Sequence, residues 1–284
     1  MKKIILILLS FTTYIFSNIN IVVSILPEQT FLKIIGGDKV NISLMVLAGN
    51  SPHTYEPKPS QMISVAKADL YLAIDVEFEH VWLPKFKNLN HKMHIVDIAK
   101  GVTKMHMLQV SHTKDAQETH KHEGKDPHIW TDPNNVRIIA HNIYNALVEA
   151  DEVNIPYYKK NLETFLTTIT KTDSHIKEIL STLKENRTFM VFHPSWGYFA
   201  KAYDLKQIAV EVEGKSPKPR ELVALIKEAK VKKVSAIFTQ PEFSDASARI
   251  IANELHIPVV KVSPMASHWS ENLITIAKTI AGQK

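Results

Sequence analysis

Residues 156–185 read PYYKKNLETFLTTITKTDSHIKEILSTLKE, a stretch without glycine and with proline only at its first position. Its apolar residues recur every three or four positions, which is the spacing of one helix face. They are Leu162, Phe165, Leu166, Ile169, Ile176, Leu180 and Leu183. At about 1.5 Å per residue, this helix would be roughly 45 Å long. One small lobe does not need so long a helix, so the stretch predicts a helix that joins two lobes.

Strand-like and helix-like segments alternate on both sides of this helix. The strand-like segments are rich in β-branched and aromatic residues and are bounded by Gly, Pro or polar residues. They are INIVVSIL (19–26), VNISLMVLAG (40–49) and DLYLAID (69–75) before the helix, and TFMVFHPS (188–195), LKQIAVEV (205–212), AIFTQPE (236–242) and PVVKVSPM (258–265) after it. This alternation predicts parallel sheets covered by helices.

The predicted fold class is therefore α/β, with two parallel-sheet α/β lobes joined by one long backbone helix. We expect an N-terminal lobe at 18–150, a linking helix at 151–186 and a C-terminal lobe at 187–284. A single stiff helix as the main link predicts a small hinge motion between the lobes. Apo and bound structures that differ by a large domain rotation would contradict this.

The N-terminus reads MKKIILILLSFTTYIFSNIN and has the pattern of a secretory signal peptide. Lys2 and Lys3 form a positive n-region, and residues 4–16 form an apolar stretch that is too short to span a bilayer comfortably. Ser17 is a small residue that suits cleavage. We predict a signal peptide at 1–17, with an uncleaved membrane anchor as the alternative.

The composition excludes several classes of protein. There is no cysteine, which excludes disulfides, thiolate ligands, cysteine nucleophiles and a lipid-modified cysteine. We expect a soluble, monomeric protein in a Gram-negative periplasm. The net charge of +5 falls to +3 without Lys2 and Lys3 (5 − 2). Lysines alternate with acids on helical faces, so no nucleic-acid-binding pattern is present.

Three histidines lie at or near the carboxyl ends of predicted strands, where open α/β sheets bind their ligands. His53 follows the strand at 40–49, His193 directly follows TFMVF, and His128 directly precedes IWTDP. Each has an adjacent proline, which limits the freedom of the backbone. Neutral imidazoles are good Zn²⁺ ligands, and nitrogen donors favour Zn²⁺ over Mn²⁺ or Mg²⁺. The alternative is that these histidines cap loops or lie on the surface.

A second group of histidines lies in the polar stretch 106–125. His112, His120 and His122 lie among Lys, Glu, Asp, Thr and Gly, and His106 precedes them. We interpret this stretch as a mobile capture loop that binds zinc weakly and raises its concentration near the cleft. The alternative is a solvated polar loop with incidental histidines.

Four segments, taken in order, resemble the solute-binding proteins of zinc and manganese ABC importers, the ZnuA/TroA-like group. They are NSPHTYEPKPSQM (50–62), DPHIWTDPNNV (126–136), VFHPSWGYFAKAYDL (191–205) and EGKSPKPRELVALI (213–226). The resemblance implies a metal site between the lobes, with His53, His128 and His193 as ligands. It also implies the zinc-type branch, which carries a His-rich insertion before DPHIW. The manganese-type branch usually has a carboxylate at the position of His193.

One position departs from the family pattern. The family commonly has an aspartate in the last strand–loop, in a D-P-L pattern, whereas this sequence reads VSPMASHW and places Ser263 there. A serine hydroxyl is a poor zinc ligand. Water is the favoured fourth ligand, because open three-histidine zinc sites are chemically sound. The alternatives are His268, Glu242 and Glu211.

Other residues near the three histidines are expected to support the site. Asp132 and Glu56 lie within four residues of them and could accept the second ring N–H of an imidazole. Their alternative role is helix capping or loop hydrogen bonding. Trp130, Trp196 and Tyr198 are expected to form the walls of the cleft, or simply to be core aromatics.

We predict a zinc-binding protein that delivers Zn²⁺ to the membrane permease of an ABC importer. The alternatives are a manganese-binding importer component, a metal-dependent adhesin and a zinc enzyme that activates water. The sequence has neither an HExxH motif nor a clear nucleophile–base pair, which disfavours an enzyme.

Zinc affinity is expected to fall below about pH 6.5, because ligand imidazoles must be neutral. A binding constant that stays flat between about pH 8 and 5 would contradict histidine ligation.

Overall fold

A computed structural model describes residues 18–107, 124–185, 187–211 and 215–283. The predicted signal peptide at 1–17 lies outside these ranges, as do His112, His120 and His122 of the His-rich stretch. Among the described residues, no helix combines the length and the apolar character needed to cross a membrane.

The N-terminal part forms a four-stranded parallel sheet in the order β2-β1-β3-β4. Its strands are β1 (Ile19–Val23), β2 (Val40–Leu44), β3 (Leu70–Ala73) and β4 (His94–Asp97). The connecting helices are α1 (Leu26–Gly36), α2 (Pro59–Ala66) and α3 (Glu77–Leu89). Helix α1 ends at two glycines, Gly36 and Gly37. Gly37 has a φ of 58°, and a Cβ there would overlap the hydroxyl of Tyr157, so only glycine fits.

The C-terminal part repeats this arrangement in a second parallel sheet, in the order β6-β5-β7-β8. Its strands are β5 (Thr188–Val191), β6 (Lys206–Ala209), β7 (Ile237–Thr239) and β8 (Val259–Lys261). Its helices are α6 (Gly197–Ala202), α7 (Pro219–Val231) and α8 (Ala246–Leu255), and the predicted α/β fold is confirmed.

Three further helices complete the fold of the described residues. They are α4 (Pro133–Ala150), α5 (Ile155–Ser181) and α9 (Trp269–Ile280). Helix α5 has 27 residues and is therefore about 40 Å long. Its buried stripe includes Leu162, Phe165, Ile169, Ile176 and Leu180, as the periodicity predicts. It packs against α1 and α4 of the N-terminal part and against α9 of the C-terminal part, so the linking helix contacts both lobes along its length.

Helix α3 and strand β4 are not among the elements predicted from the sequence. Helix α3 contains Pro84 in its interior, a residue that normally ends or kinks a helix. Strand β4 has four residues and is mostly exposed, so it shows no alternation of buried and exposed positions. Helix α3 matters for the site, because its first residue, Glu77, lies beside His53.

The two lobes are joined by packing as well as by α5. The indole Nε1 of Trp130 donates to the carbonyl of Pro264 at 2.7 Å, and Nε1 of Trp269 donates to the carbonyl of Trp130 at 2.7 Å. The ring of Trp269 also packs edge-on against Phe31 of α1, with centroids 5.7 Å apart. One hydrophobic cluster therefore runs from the N-terminal sheet through α5 and α9 into the C-terminal lobe.

Candidate metal centre

The three histidines singled out in the sequence lie together in one cleft between the lobes. The ring centroid of His193 lies 5.3 Å from that of His53 and 5.5 Å from that of His128. Three imidazoles that bind one tetrahedral Zn²⁺ through Nε2, with Zn–N about 2.1 Å, hold their centroids about 5.2 Å apart. The observed spacing therefore suits a shared zinc ion.

The register of the C-terminal sheet fixes His193. Val191 of β5 pairs with Ala209 of β6 on one side and with Phe238 of β7 on the other. Two residues further along each strand, at the carboxyl ends, are His193, Glu211 and Gln240. Parallel pairing thus places an acid and an amide on either side of the histidine.

Gln240 fixes the backbone of His193. Its Oε1 accepts from the backbone N–H of His193 at 3.2 Å, and its Nε2 donates to the His193 carbonyl at 2.7 Å. Gln240 is almost fully buried. The imidazole also stacks on the ring of Phe243, with centroids 5.2 Å apart. His193 is therefore fixed both along its backbone and on one ring face.

Each of the three imidazoles has a carboxylate beside its Nδ1 atom. The pairs are His53 with Glu77 (3.4 Å), His128 with Asp126 (2.8 Å) and His193 with Glu211 (2.9 Å). A carboxylate accepts a hydrogen bond from Nδ1–H, so it favours the tautomer in which Nε2 carries the lone pair. His128 and His193 are thus set to offer Nε2 to a metal, and Glu77 lies near enough to favour the same tautomer of His53.

The Nε2 atom of His193 is buried, and among the described residues it has no hydrogen-bond partner. A buried polar atom without a partner costs stability, so such atoms are rare and call for an explanation. A metal ion bound between the histidines would supply the missing partner. The donor set of neutral imidazoles suits zinc.

His128 is held by the residues around it more tightly than His53. The Oδ1 atom of Asp126 accepts from both the backbone N–H and Nδ1 of His128, at 2.9 and 2.8 Å. Asp126 is itself almost fully buried. His53, by contrast, lies in an exposed loop, and its distance to Glu77 is longer. We infer that, of the three candidate ligands, His53 has the greatest freedom to move.

Helix α3 brings Glu77 to His53, and a buried acid fixes the start of that helix. Glu79 accepts from the backbone N–H groups of Ile74 and Asp75, at 3.0 and 2.6 Å, and from the hydroxyl of Ser24. Burial raises the pKa of Glu79 to about 6. These contacts tie the first turn of α3 to the carboxyl ends of the two central strands, β1 and β3. The sheet therefore positions Glu77.

Burial lowers the pKa of His53 from its usual value. Glu77 opposes this shift, and the neighbouring His193 and His128 reinforce it. A lowered pKa keeps the imidazole neutral, and therefore able to bind a metal, to a more acidic pH.

The ends of the His-rich stretch meet beside the site. His106 and Lys125 form an antiparallel bridge, and the backbone N–H of Asp126 donates to the carbonyl of Met105 at 2.8 Å. Tyr198 of the other lobe donates to the carbonyl of Asp126 at 3.0 Å and accepts from the backbone N–H of Met105 at 2.9 Å. The root of this stretch is therefore fixed to both lobes.

Two predicted supporting residues have other roles. Glu56 is exposed, and Glu77 is the carboxylate at His53 instead. Asp132 accepts from the backbone N–H of Asn134 at 2.8 Å and caps α4, which was its alternative role. Of the three carboxylates at the imidazoles, only Asp126 is close to its histidine in sequence. The fold brings Glu77 to His53 and Glu211 to His193.

The cleft walls agree in part with the sequence prediction. Trp130 lines the cleft together with Phe243, Pro264 and Met265. Trp196 and Tyr198 are buried in the core behind it, so their prediction as cleft walls is wrong. Among the described residues, no group of three or more His, Asp or Glu side chains has its donor atoms converged as they would be around a bound ion. The imidazoles would therefore have to adjust their positions to bind one metal ion together. That His53, His128 and His193 are its ligands stays a prediction.

The structure also distinguishes between the candidates for a fourth ligand. His268 is exposed and stands at the start of α9, and it does not line the cleft. Glu211 is hydrogen-bonded to Nδ1 of His193. Ser263 accepts from the backbone N–H of Met265 at 3.0 Å and lies 3.4 Å from Glu242. Glu242 lines the cleft with the three histidines.

The comparisons with known proteins assign this architecture, two parallel-sheet lobes with a long helix between them, to the substrate-binding proteins of metal ABC transporters. The family model described as zinc-uptake complex component A, periplasmic (ZnuA), matches residues 21–281. This chain belongs to the ZnuA family, whose members are solute-binding proteins and not enzymes.

Relatives carry names for two metals. A crystal structure of ZnuA is 39% identical and superimposes with a TM-score of 0.85 over 94% of this chain and 99% of that one. A zinc-bound deletion mutant of ZnuA is 40% identical, with a TM-score of 0.83 over 93% of this chain and 97% of that one. The manganese ABC transporter substrate-binding lipoprotein scaA of Streptococcus gordonii is 29% identical over 86% of this chain and 78% of its own length.

Proposed function

We propose that this protein binds one Zn²⁺ through Nε2 of His53, His128 and His193 and delivers it to the permease of a zinc ABC importer. The observation that carries the proposal is the buried Nε2 of His193, which lacks a partner among the described residues while Glu211 holds the opposite ring nitrogen. Three imidazoles with lone pairs on one side form a nitrogen donor set, which zinc accepts better than manganese does.

The location and state of the protein belong to the same proposal. We expect an exported, monomeric protein of the periplasm, with residues 1–17 as its signal peptide. The sequence has no cysteine to carry a lipid, which fits a protein that diffuses to the permease. The zinc-bound ZnuA mutant, at 40% identity, supports zinc as the cargo.

A chelator-competition titration tests the choice of metal. The metal-stripped protein should bind one Zn²⁺ per chain and bind Mn²⁺ at least about 10-fold more weakly, as the order of affinities for nitrogen donors predicts. A variant that lacks residues 108–123 should keep the tight zinc, because Met105 and Asp126 already hold the two ends of that stretch together. Tighter binding of Mn²⁺, or loss of the tight zinc with the deletion, would contradict the proposal.

A further inference from the structure

We propose that Glu242 supplies the fourth, anionic ligand of the metal, and that it does so from the strand end next to Ser263. The inference rests on the proposed function, because it concerns the same site. It replaces water, the favoured fourth ligand from the sequence, with a named side chain.

The other carboxylates near the site are already in use. Glu77, Asp126 and Glu211 each lie against the Nδ1 atom of one histidine, so they orient the ligands and are turned away from a metal at Nε2. Among the described residues, Glu242 is the acid that lines the cleft together with the three imidazoles. It is half-buried, so its carboxylate keeps access to the cleft.

The sheet explains how an acid at 242 can replace one at 263. Strands β7 and β8 are parallel neighbours, with Thr239 paired to Lys261. Glu242 and Ser263 follow the carboxyl ends of these two strands, and Ser263 Oγ lies 3.4 Å from Glu242 Oε1. A carboxylate on either strand end can therefore reach the same side of the cleft.

Ser263 is placed to orient Glu242 and not to bind a metal itself. Its hydroxyl accepts from the backbone N–H of Met265 at 3.0 Å, which leaves its own hydrogen free to be donated to Glu242. Its carbonyl accepts from Nδ2 of Asn272 at 2.9 Å. These contacts fix the serine at the rim, while Pro264 and Met265 line the cleft.

Charge gives a reason for a fourth ligand of this type. Glu77, Asp126 and Glu211 lie behind the imidazoles and act on a bound Zn²⁺ only through the rings, so the ion and its three neutral ligands together keep a charge of +2 in a partly buried cleft. A carboxylate ligand halves that charge. Glu242→Gln keeps the shape and removes the charge, so it should weaken zinc binding by about 10-fold or more, at least as much as losing a partner of a metal-bound histidine costs.

The test uses the full chain loaded with Co²⁺, whose visible absorption reports its ligands, with azide as a probe anion. An open position filled by water exchanges with azide and changes the spectrum, whereas a position held by Glu242 does not. We expect no azide response from the wild type and a clear response from Glu242→Gln. Ser263→Asp in the Glu242→Gln background should abolish the response and restore zinc affinity, since aspartate can still accept from the Met265 N–H.

Glu163→Gln is the matched control, because it makes the same change on an exposed part of α5 and should alter neither zinc affinity nor the azide response. An azide-sensitive wild type whose zinc affinity is unchanged by Glu242→Gln would overturn the role of Glu242 and leave the proposed function intact. A wild type that binds no metal tightly would overturn both.

Discussion

His193→Ala should weaken zinc binding by at least about 100-fold, the upper end of what removing a partner of a metal-bound histidine costs. The variant loses the imidazole whose centroid lies close to those of both His53 and His128. It also leaves Glu211 without its partner at 2.9 Å, so an acid that orients a ligand becomes an unpaired buried charge. Chelator competition measures the affinity, and circular dichroism checks that the fold remains.

His175→Ala is the control for this variant, because His175 is a half-exposed histidine on α5 that contacts Glu178 and not the cleft. It should bind zinc as the wild type does. If His193→Ala kept wild-type affinity while folded, the cleft would not be the zinc site, and the His-rich stretch would become the candidate receptor.

The sequence predicts which histidines meet but not what holds them. His53, His128 and His193 can be found because each stands beside a proline, and the resemblance links them. The structure places His193 just past β5, whereas His128 precedes a 3₁₀ turn at Ile129–Thr131 and does not follow a strand. Glu211 and Gln240 cannot be found in this way. They flank His193 only because β5 lies between β6 and β7 with Val191 paired to both, and strand order is a tertiary property that local patterns do not encode.

The other two orienting acids differ in how visible they are. Asp126 stands two residues before His128, so the short sequence DPH contains the signal, and one side-chain oxygen reaches both nitrogens of the histidine. Glu77 lies 24 residues after His53 on a helix whose interior proline hides it from periodicity. Short sequence separation predicts Glu56 and Asp132 instead. In the structure Glu56 is exposed and Asp132 caps helix α4.

The contacts of Trp130 bear on the predicted small hinge motion. A rotation that opened the cleft widely would have to break the hydrogen bond from Trp130 to Pro264 and the one from Trp269 to the Trp130 carbonyl. It would also expose part of a cluster that is continuous across the lobes. Exchange of the metal is therefore expected to use local movement, most of all of the exposed loop that carries His53.

Trp130→Ala should destabilise the protein by about 3–5 kcal/mol, the usual cost of removing a large buried aromatic side chain. Trp130 is 1% exposed, and its indole both fills the lobe interface and donates across it to Pro264. The midpoint of urea unfolding, with its slope, measures the loss. Zinc affinity should fall as well, because the Trp130 ring packs 5.5 Å from the ring of His128 and limits its movement.

Trp82→Ala separates the loss of an indole from the loss of the lobe contact. Trp82 is half-buried on α3 and packs against Phe78 and Phe86 within the N-terminal lobe, so its removal should cost less stability and leave zinc affinity close to that of the wild type. If Trp130→Ala cost less than about 1 kcal/mol, a typical effect for a substitution without a special mechanism, the two lobes would not be held together by this contact. The cleft would then be free to open about α5, and the prediction of a small hinge motion would lose its physical basis.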